Sequence, residues 1–322
     1  MIHRIVPFLF AVALVAACTD GGRPAADRPG GPPAQAGGSV TVKGSDTLVL
    51  LAQRVAERFM AANPGKMVQV TGGGSGTGIA ALINGTTDVA TASRAMKAAE
   101  KAELERRRGA PAVETAVALD GIAVYVHASN PIESLTLDQI KRIFTGEVKN
   151  WKEVGGADAP ILLYGRENNS GTYAFFKEEV LDDEDFAAET QSLPGTAAVV
   201  NAVANDPKAI GYGGIAWGKG IRTVPVRREA GDPAVEPTME NVTAGTYPIS
   251  RKLFLYTAGA LAGDVKAFID FALSEEGQRI AADVGYYPLP KPAPAAPAAD
   301  GAGDADAPRP RVGTTGASGA AE

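Results

Sequence analysis

Two glycine-rich loops that carry hydroxyl side chains constrain this sequence most. The first runs from Gly72 to Gly78 and reads G-G-G-S-G-T-G; the second runs from Arg166 to Thr172 and reads R-E-N-N-S-G-T. Each follows a short β-branched run and precedes apolar residues at helical spacing, which predicts a strand-to-helix junction. Glycines at such a turn let the backbone approach a ligand, and the helix N-terminus offers unpaired N–H groups to an anion. The two junctions together predict one small anion held from two sides.

The first residues are typical of an export signal. Arg4 precedes an apolar run that is too short to span a bilayer comfortably, and the run ends in the sequence V-A-A-C at Cys18. These four residues resemble a bacterial lipobox, in which the cysteine becomes the lipid-modified first residue. We therefore predict a lipoprotein signal peptide over residues 1–17 and a lipidated Cys18, with an ordinary secretory signal as the alternative.

The segments that flank the predicted folded part lack apolar periodicity. Residues 18–39 are rich in Gly, Pro and Ala, which predicts a flexible linker behind the anchor. Residues 290–322 contain mainly Pro, Ala, Gly and Asp and are predicted to be disordered. About 250 residues remain between these segments, enough for one large domain or for two lobes with separate cores.

The composition disfavours several classes of function. The formal net charge is −6, and loss of Arg4 with the signal peptide makes it more negative, so nucleic acid is a poor partner. Cys18 is the only cysteine, which excludes an intramolecular disulfide and a thiolate metal cluster. His127 is the only histidine outside the signal peptide. We therefore expect no catalytic residues, no metal and no cofactor.

The order of predicted elements indicates an α/β fold. Residues 40–108 alternate β-α-β-α-β-α, the pattern of a parallel sheet with covering helices. After the first glycine loop, the helix is predicted to begin near Ile79. The apolar stretch Val113–Val126 is long for one strand and is expected to cross between two lobes. The segment Val265–Val284 is predicted as one long helix.

The same order predicts two lobes, each a mixed or parallel sheet flanked by helices. Residues 40–119 and 246–289 are assigned to lobe 1, and residues 120–245 to lobe 2. The chain would then cross between the lobes more than once.

Three familiar motifs are incomplete in this sequence. No three glycines of the first loop have the spacing of the dinucleotide fingerprint, and Thr77 occupies the last glycine position of a nucleophile elbow. The run Gly213–Gly220 ends in glycine where a P-loop requires Ser or Thr as a magnesium ligand. Dinucleotide binding, nucleophilic hydrolysis and nucleotide hydrolysis are therefore disfavoured.

Charged and polar residues at other junctions are candidates for the same anion site. Arg166 supplies a permanent, planar guanidinium four residues before Ser170. Asp46 and Thr47 lie in a loop before a helix, where the alternative is a role as helix caps. Arg94 follows a predicted strand, where the alternative is an ordinary surface arginine.

Together, these segments resemble the phosphate-binding proteins of bacterial ABC importers, a branch of the periplasmic binding-protein superfamily (type 2). The resemblance covers residues 40–289, essentially the whole predicted folded part. It rests on the order and spacing of six segments, namely Gly44–Thr47, Gly73–Gly78, Ala92–Arg94, Leu137–Gly146 with Trp151, Arg166–Thr172 and Tyr247–Arg251.

The resemblance implies two lobes, joined by a hinge, that close on a dehydrated phosphate. Matching positions imply that one lobe contributes Thr47, the Leu48 backbone N–H and Ser75. They imply that the other lobe contributes Arg166, Ser170, the Gly171 backbone N–H and Thr172. The resemblance also implies that the protein is not an enzyme and delivers its ligand to the membrane subunits of an ABC permease.

Two positions depart from the family pattern. Many relatives have an aspartate at the position of Arg94, where it accepts a proton from bound phosphate and repels a sulfate-like dianion. Asp46 is the candidate acceptor in this sequence, and Arg94 would then add a second charge clamp. Asn168 stands where relatives often have an acid that orients the arginine, and Glu167 is the candidate substitute.

We therefore expect an exported, lipid-anchored, monomeric binding protein of the cell envelope that captures inorganic phosphate for an ABC importer. A carrier of another tetrahedral oxyanion, such as sulfate or molybdate, is an alternative, as is a phosphate-sensing or adhesion protein of the same fold. A secreted phosphatase is disfavoured because the sequence offers neither a metal cluster nor an activated nucleophile.

Overall fold

The computed structural model describes residues 38–218 and 220–290 of the chain. The predicted signal peptide, Cys18, and nearly all of the predicted linker and C-terminal tail lie outside these residues. Within the described ranges, no helix combines the length and the apolar character that a bilayer crossing needs. The same residues contain no cluster of three or more His, Cys, Asp or Glu side chains that could hold a metal ion.

Short strands and helices alternate along the described residues. The strands are β1 (Ser39–Gly44), β2 (Met67–Thr71), β3 (Val89–Ala92), β4 (Ala112–Val126), β5 (Leu135–Thr136), β6 (Leu162–Arg166), β7 (Gln191–Leu193), β8 (Ala209–Gly214), β9 (Arg222–Val224), β10 (Val226–Arg227) and β11 (Ser250–Ala258). The α-helices are α1 (Val49–Ala62), α2 (Ser75–Asn84), α3 (Ala98–Arg108), α4 (Leu137–Phe144), α5 (Gly171–Glu179), α6 (Gly195–Asn205), α7 (Met239–Thr243), α8 (Gly263–Leu273) and α9 (Glu275–Val284).

Most of the strands form one mixed sheet. Its order is β2-β1-β3-β11-β4-β8-β6-β7, and β9 pairs with β4. β1 is parallel to both β2 and β3, and β6 is parallel to both β7 and β8. β4 and β11 run antiparallel to their neighbours, and β5 and β10 form a separate parallel pair. The predicted parallel β-α-β-α-β unit over residues 40–108 is therefore confirmed.

Strand β4 belongs to both halves of the sheet. Its residues 112–121 pair with β11, and its residues 122–126 pair with β8. The side chains from Ile122 to Val126 are fully buried, as in a strand that is covered on both faces. The predicted strand over residues 113–126 is confirmed, and it joins the two halves.

The two largest hydrophobic clusters lie on different halves of the sheet. In the first, Phe59 on α1 and Phe268 on α8 meet edge to face with ring centroids 5.7 Å apart. In the second, Phe176 on α5 stacks on Tyr212 of β8 with ring centroids 4.0 Å apart, and Tyr247 packs in the same cluster. Two cores on one shared sheet give a two-lobed α/β fold, which confirms the predicted fold class.

Helix α2 begins earlier than the sequence predicted. The glycine-rich loop suggested a start near Ile79, because glycine disfavours the helix interior, but the helix already begins at Ser75. Gly78 lies against β1, where a Cβ atom would overlap the carbonyl oxygen of Lys43 and lie 2.5 Å from Gly44 Cα. The close contact between helix and strand therefore explains the glycine, and Ser75 lies in the first helical turn.

The prediction of one long helix over residues 265–284 is wrong. Two helices, α8 and α9, occupy this segment and meet at Ser274, which has extended backbone angles. The Ser274 hydroxyl oxygen accepts a hydrogen bond from the Gly277 backbone N–H at 3.2 Å, a typical N-cap. A local capping signal therefore divides an otherwise continuous apolar pattern.

The substitution Gly78→Ala should destabilise the fold. The added methyl group would press on the backbone of β1, and overpacking of this kind costs about 1–3 kcal/mol. Urea unfolding followed by circular dichroism measures the change. Gly231→Ala is the matched control, because no atom lies within 4 Å of the site of its Cβ, and it should change stability by less than about 0.5 kcal/mol. Equal stability of the two variants would contradict the close contact between α2 and β1.

Candidate functional site

Four hydroxyl side chains meet where strands of both halves end. Thr47 follows β1, Ser75 follows β2, Ser93 follows β3 and Thr172 follows β6, and each is almost fully buried. The Thr47 and Thr172 hydroxyl oxygens are 2.9 Å apart, and the Ser75 and Ser93 hydroxyl oxygens are 3.3 Å apart. Ligand sites of α/β sheets lie outside the carboxyl ends of the strands. We call these four residues the hydroxyl cluster.

The loops that carry the hydroxyl cluster are in direct contact. A Cβ atom at Gly171 would overlap the Ser75 hydroxyl and lie 2.8 Å from the Ser93 hydroxyl. The Gly76 backbone N–H donates to the Asn169 carbonyl oxygen at 2.9 Å. The predicted loops from the two halves therefore approach each other, and glycine is required at position 171 for that approach.

Backbone N–H groups donate to two serine hydroxyl oxygens at the site, that of Ser75 in the hydroxyl cluster and that of Ser170 beside it. The Ser75 oxygen accepts a hydrogen bond from the Ser93 N–H at 3.0 Å. The Ser170 oxygen caps α5 and accepts from the N–H groups of Thr172 and Tyr173 at 3.2 and 3.3 Å. A hydroxyl whose oxygen already accepts keeps its own hydrogen for donation. These groups therefore suit a ligand oxygen that only accepts, such as an unprotonated oxyanion oxygen.

Arg166 is a buried cation that both halves of the sheet hold in place. Its side chain is 2% exposed, and its Nη2 donates to the Asp46 carboxylate at 3.1 Å. Its Nη1 donates to the Thr196 hydroxyl at 2.7 Å. Burial lowers the pKa of Arg166 below its usual value, while the Asp46 carboxylate favours the charged form. Asp46 also accepts from the Gly73 N–H at 2.7 Å, so it orients the arginine next to Thr47.

Two other predicted residues have different contacts from those expected. The Arg94 guanidinium donates to both carboxylate oxygens of Glu100 at 2.8 and 2.7 Å, and to the Ala95 carbonyl oxygen. It makes no described hydrogen bond with the hydroxyl cluster, so the structure does not bring the predicted second clamp to the site. The Leu48 backbone N–H donates to the Ser45 carbonyl oxygen at 3.1 Å, and the Leu48 side chain is buried.

The position of the Arg94 guanidinium follows from its pairing with Glu100. A carboxylate in the first turn of α3 offers a bidentate partner only six residues away. The hydrogen bonds that Arg94 donates to Glu100 raise the pKa of Arg94, against the effect of burial. Burial opposes ionisation of Glu100, but hydrogen bonds from Arg94 and the Lys97 N–H leave the pKa of Glu100 below its usual value.

The prediction also missed two residues of the site. Ser93 was included only within the segment Ala92–Arg94, although it follows a strand in the same way as the other hydroxyl residues. Arg251 on β11 donates to the Thr172 hydroxyl at 3.0 Å and to Asp120. Burial raises the pKa of Asp120, and the charge of Arg251 opposes this effect. An aspartate inside the apolar run of β4 was the available signal, because a buried carboxylate needs a partner.

Comparison with known proteins places the chain among binding proteins. A family model described as the PBP superfamily domain matches residues 30–276. The phosphate-binding protein PstS of Pseudomonas aeruginosa is 36% identical over 270 residues, which cover 79% of this chain and 84% of that protein. PstS of Bacillus subtilis is 34% identical over 256 residues and covers 79% of this chain and 82% of that protein.

The comparison of structures agrees with the comparison of sequences. A crystal structure from Clostridium perfringens, of a candidate phosphate ABC transporter substrate-binding protein with bound phosphate, superposes with a TM-score of 0.72. Its sequence is 34% identical, and the match covers 79% of this chain and 100% of that chain.

The substitution Arg94→Met should lower stability in a pH-dependent way. Because the pKa of folded Glu100 lies below its usual value, the pair stabilises the fold above the ordinary glutamate pKa, by about 1 kcal/mol for a partly exposed pair. This contribution is lost as the pH falls through the lowered pKa. Urea unfolding at about pH 7 and about pH 3 should show the difference from the wild-type protein shrinking at the lower pH. A difference that is the same at both pH values would contradict the pairing.

Proposed function

Because the chain belongs to the PBP superfamily, and within it to the phosphate-binding proteins of bacterial ABC transporters, we propose that it captures inorganic phosphate between its two lobes. The observation that carries this proposal is the hydroxyl cluster, in which Thr47 and Thr172 come from different halves of the sheet and lie 2.9 Å apart. The phosphate bound to the Clostridium perfringens relative supports the choice of ligand.

The binding chemistry follows from the donors. A tetrahedral oxyanion that leaves water must exchange its hydration shell for other hydrogen bonds. The hydroxyl cluster, Ser170 and the N-terminal turns of α2 and α5 would provide them. Arg166 would balance part of the ligand's charge. The mechanism involves no covalent step, no metal and no cofactor.

Hinge closure is the proposed route of capture. Contacts such as that between Gly76 and Asn169 join the two halves in the described structure, which corresponds to a closed arrangement. An open arrangement would admit the anion, and closure would be favoured because the ligand binds the closed form better. We assign residues 40–119 and 246–289 to one moving lobe and residues 120–245 to the other.

The proposal also covers the cellular setting. A signal peptide over residues 1–17 would export the chain, and a lipid on Cys18 would anchor it to a membrane of the cell envelope. Residues 18–39 would act as a flexible linker, and residues 290–322 as a disordered tail. The anchored monomer would deliver phosphate to the membrane subunits of an ABC permease.

Isothermal titration calorimetry of residues 19–322, stripped of ligand, tests the proposed ligand. We expect tight binding of phosphate and no detectable binding of sulfate at the same concentration. Arg166→Met should weaken phosphate binding by at least about a hundredfold, because a charge-assisted contact is lost and Asp46 is left unpaired.

Arg222→Met is the matched control for the loss of an arginine. Arg222 donates to the carbonyl oxygens of Asn130 and Ile132 and has no described contact with the hydroxyl cluster. The substitution Arg222→Met should therefore leave the affinity for phosphate unchanged. Absence of phosphate binding by the wild-type protein, or equal affinity for sulfate, would reject the proposed ligand.

Asp46→Asn tests whether Asp46 accepts the proton of bound phosphate. One Asp46 oxygen accepts from Gly73 and the other from Arg166, and each carboxylate oxygen has a second acceptor position. An amide in place of the carboxylate would no longer repel an unprotonated sulfate oxygen. The ratio of phosphate affinity to sulfate affinity should therefore fall by at least about tenfold. If both affinities fall in parallel, Asp46 acts only as the partner of Arg166.

A further inference from the structure

Arg251 and Asp120 form a buried ion pair at the point where β4 passes between the two halves of the sheet. The residues are direct partners across the antiparallel strands β4 and β11. Arg251 Nε and Nη2 donate to one Asp120 carboxylate oxygen at 3.0 and 2.8 Å. The other oxygen accepts from the Ile215 N–H at 3.2 Å. The side chains are 2% and 0% exposed, respectively.

The rest of the guanidinium reaches both sides of the hydroxyl cluster. Its Nη1 donates to the Ser93 carbonyl oxygen at 2.7 Å, and its Nη2 also donates to the Thr172 hydroxyl oxygen at 3.0 Å. The Phe175 ring covers the guanidinium, with 5.4 Å from Cζ to the ring centroid. Because a buried ion pair is often no more stabilising than apolar residues of the same size, stability alone does not account for this arrangement.

Arg251 determines how the threonine hydroxyl groups can be oriented. A guanidinium can only donate hydrogen bonds, so the Thr172 oxygen must be the acceptor. Its own hydrogen then points to the other described neighbour, the Thr47 hydroxyl oxygen at 2.9 Å, or to a ligand that lies there. If Thr47 accepts from Thr172, the Thr47 hydrogen is in turn directed outward.

We propose that Arg251, held by Asp120, is a positioning residue that makes the Thr172 hydroxyl a donor, either to the bound anion itself or to Thr47, whose own hydrogen then points to the anion. This inference rests on the proposed function. It extends the pattern in which the Ser75 and Ser170 oxygens accept from backbone N–H groups and keep their own hydrogens for donation. The site then presents donors to an unprotonated phosphate oxygen.

A double-mutant cycle on phosphate affinity tests the inference. Thr172→Val removes the hydroxyl at nearly constant volume, and Arg251→Met removes the donor that orients it. Each single variant should weaken phosphate binding by about ten- to a hundredfold. If Arg251 acts through the Thr172 hydroxyl, Arg251→Met should have much less effect in the Thr172→Val background, so the two effects are not additive.

A second variant, Arg251→Lys, keeps the test valid if Arg251→Met does not fold. Arg251→Lys keeps a positive charge beside Asp120 but replaces the fork by a single ammonium group, which cannot reproduce the three directions of donation. Thermal unfolding establishes which variants fold. The double-mutant cycle on phosphate affinity is then repeated with Arg251→Lys and Thr172→Val. We again expect the combined effect on affinity to be smaller than the sum of the two single effects.

Arg222→Met combined with Thr172→Val is the control cycle, and its effects should add within about twofold. Additive effects of Arg251 and Thr172 in folded protein, with tight phosphate binding by the wild-type protein, would overturn the positioning role and leave the proposed function intact. If the wild-type protein does not bind phosphate, the proposed function fails and this inference falls with it.

Discussion

Strand β4 pairs with β11 along its first part and with β8 along its last part. The same strand therefore belongs to both halves of the sheet. The pairing of β4 changes between Gly121 and Ile122, next to Asp120. A fully buried carboxylate is stable there only with a counter-charge and complete hydrogen bonding. Arg251 and the Ile215 N–H supply both. The shared strand and its ion pair therefore fix the geometry on which the site depends.

The site is made from oriented dipoles more than from net charge. Each of its two arginines has its own carboxylate, Asp46 for Arg166 and Asp120 for Arg251. The hydroxyl cluster lies beside the N-terminal turns of α2 and α5, and fixed dipoles of this kind act over short distances. An acidic protein can therefore hold an anion, since the formal net charge of −6 says little about the field inside a buried cluster.

Local patterns predicted most elements correctly. Helix α4 spans residues 137–144, and its capping box from Thr136 to Gln139 and its apolar face are both encoded within ten residues. The start of α2 and the break at Ser274 were missed for different reasons. A contact with β1 stabilises the glycine-rich first turn of α2, which no local propensity shows. The cap at Ser274 is a local signal that the apolar periodicity concealed.

The sequence by itself determined the strand-to-helix loops, their hydroxyl residues and Arg166, because a glycine-rich junction carries its chemistry within seven residues. It could not decide which other arginine joins them. Arg94 and Arg251 both follow or lie on strands and both bear a permanent charge. Glu100 is only six residues from Arg94, whereas the tertiary structure aligns Asp120 with Arg251 across 131 residues of chain. Both arginines have a carboxylate partner, but among the described hydrogen bonds only Arg251 also reaches the Ser93 carbonyl oxygen and the Thr172 hydroxyl, and folding alone sets these contacts.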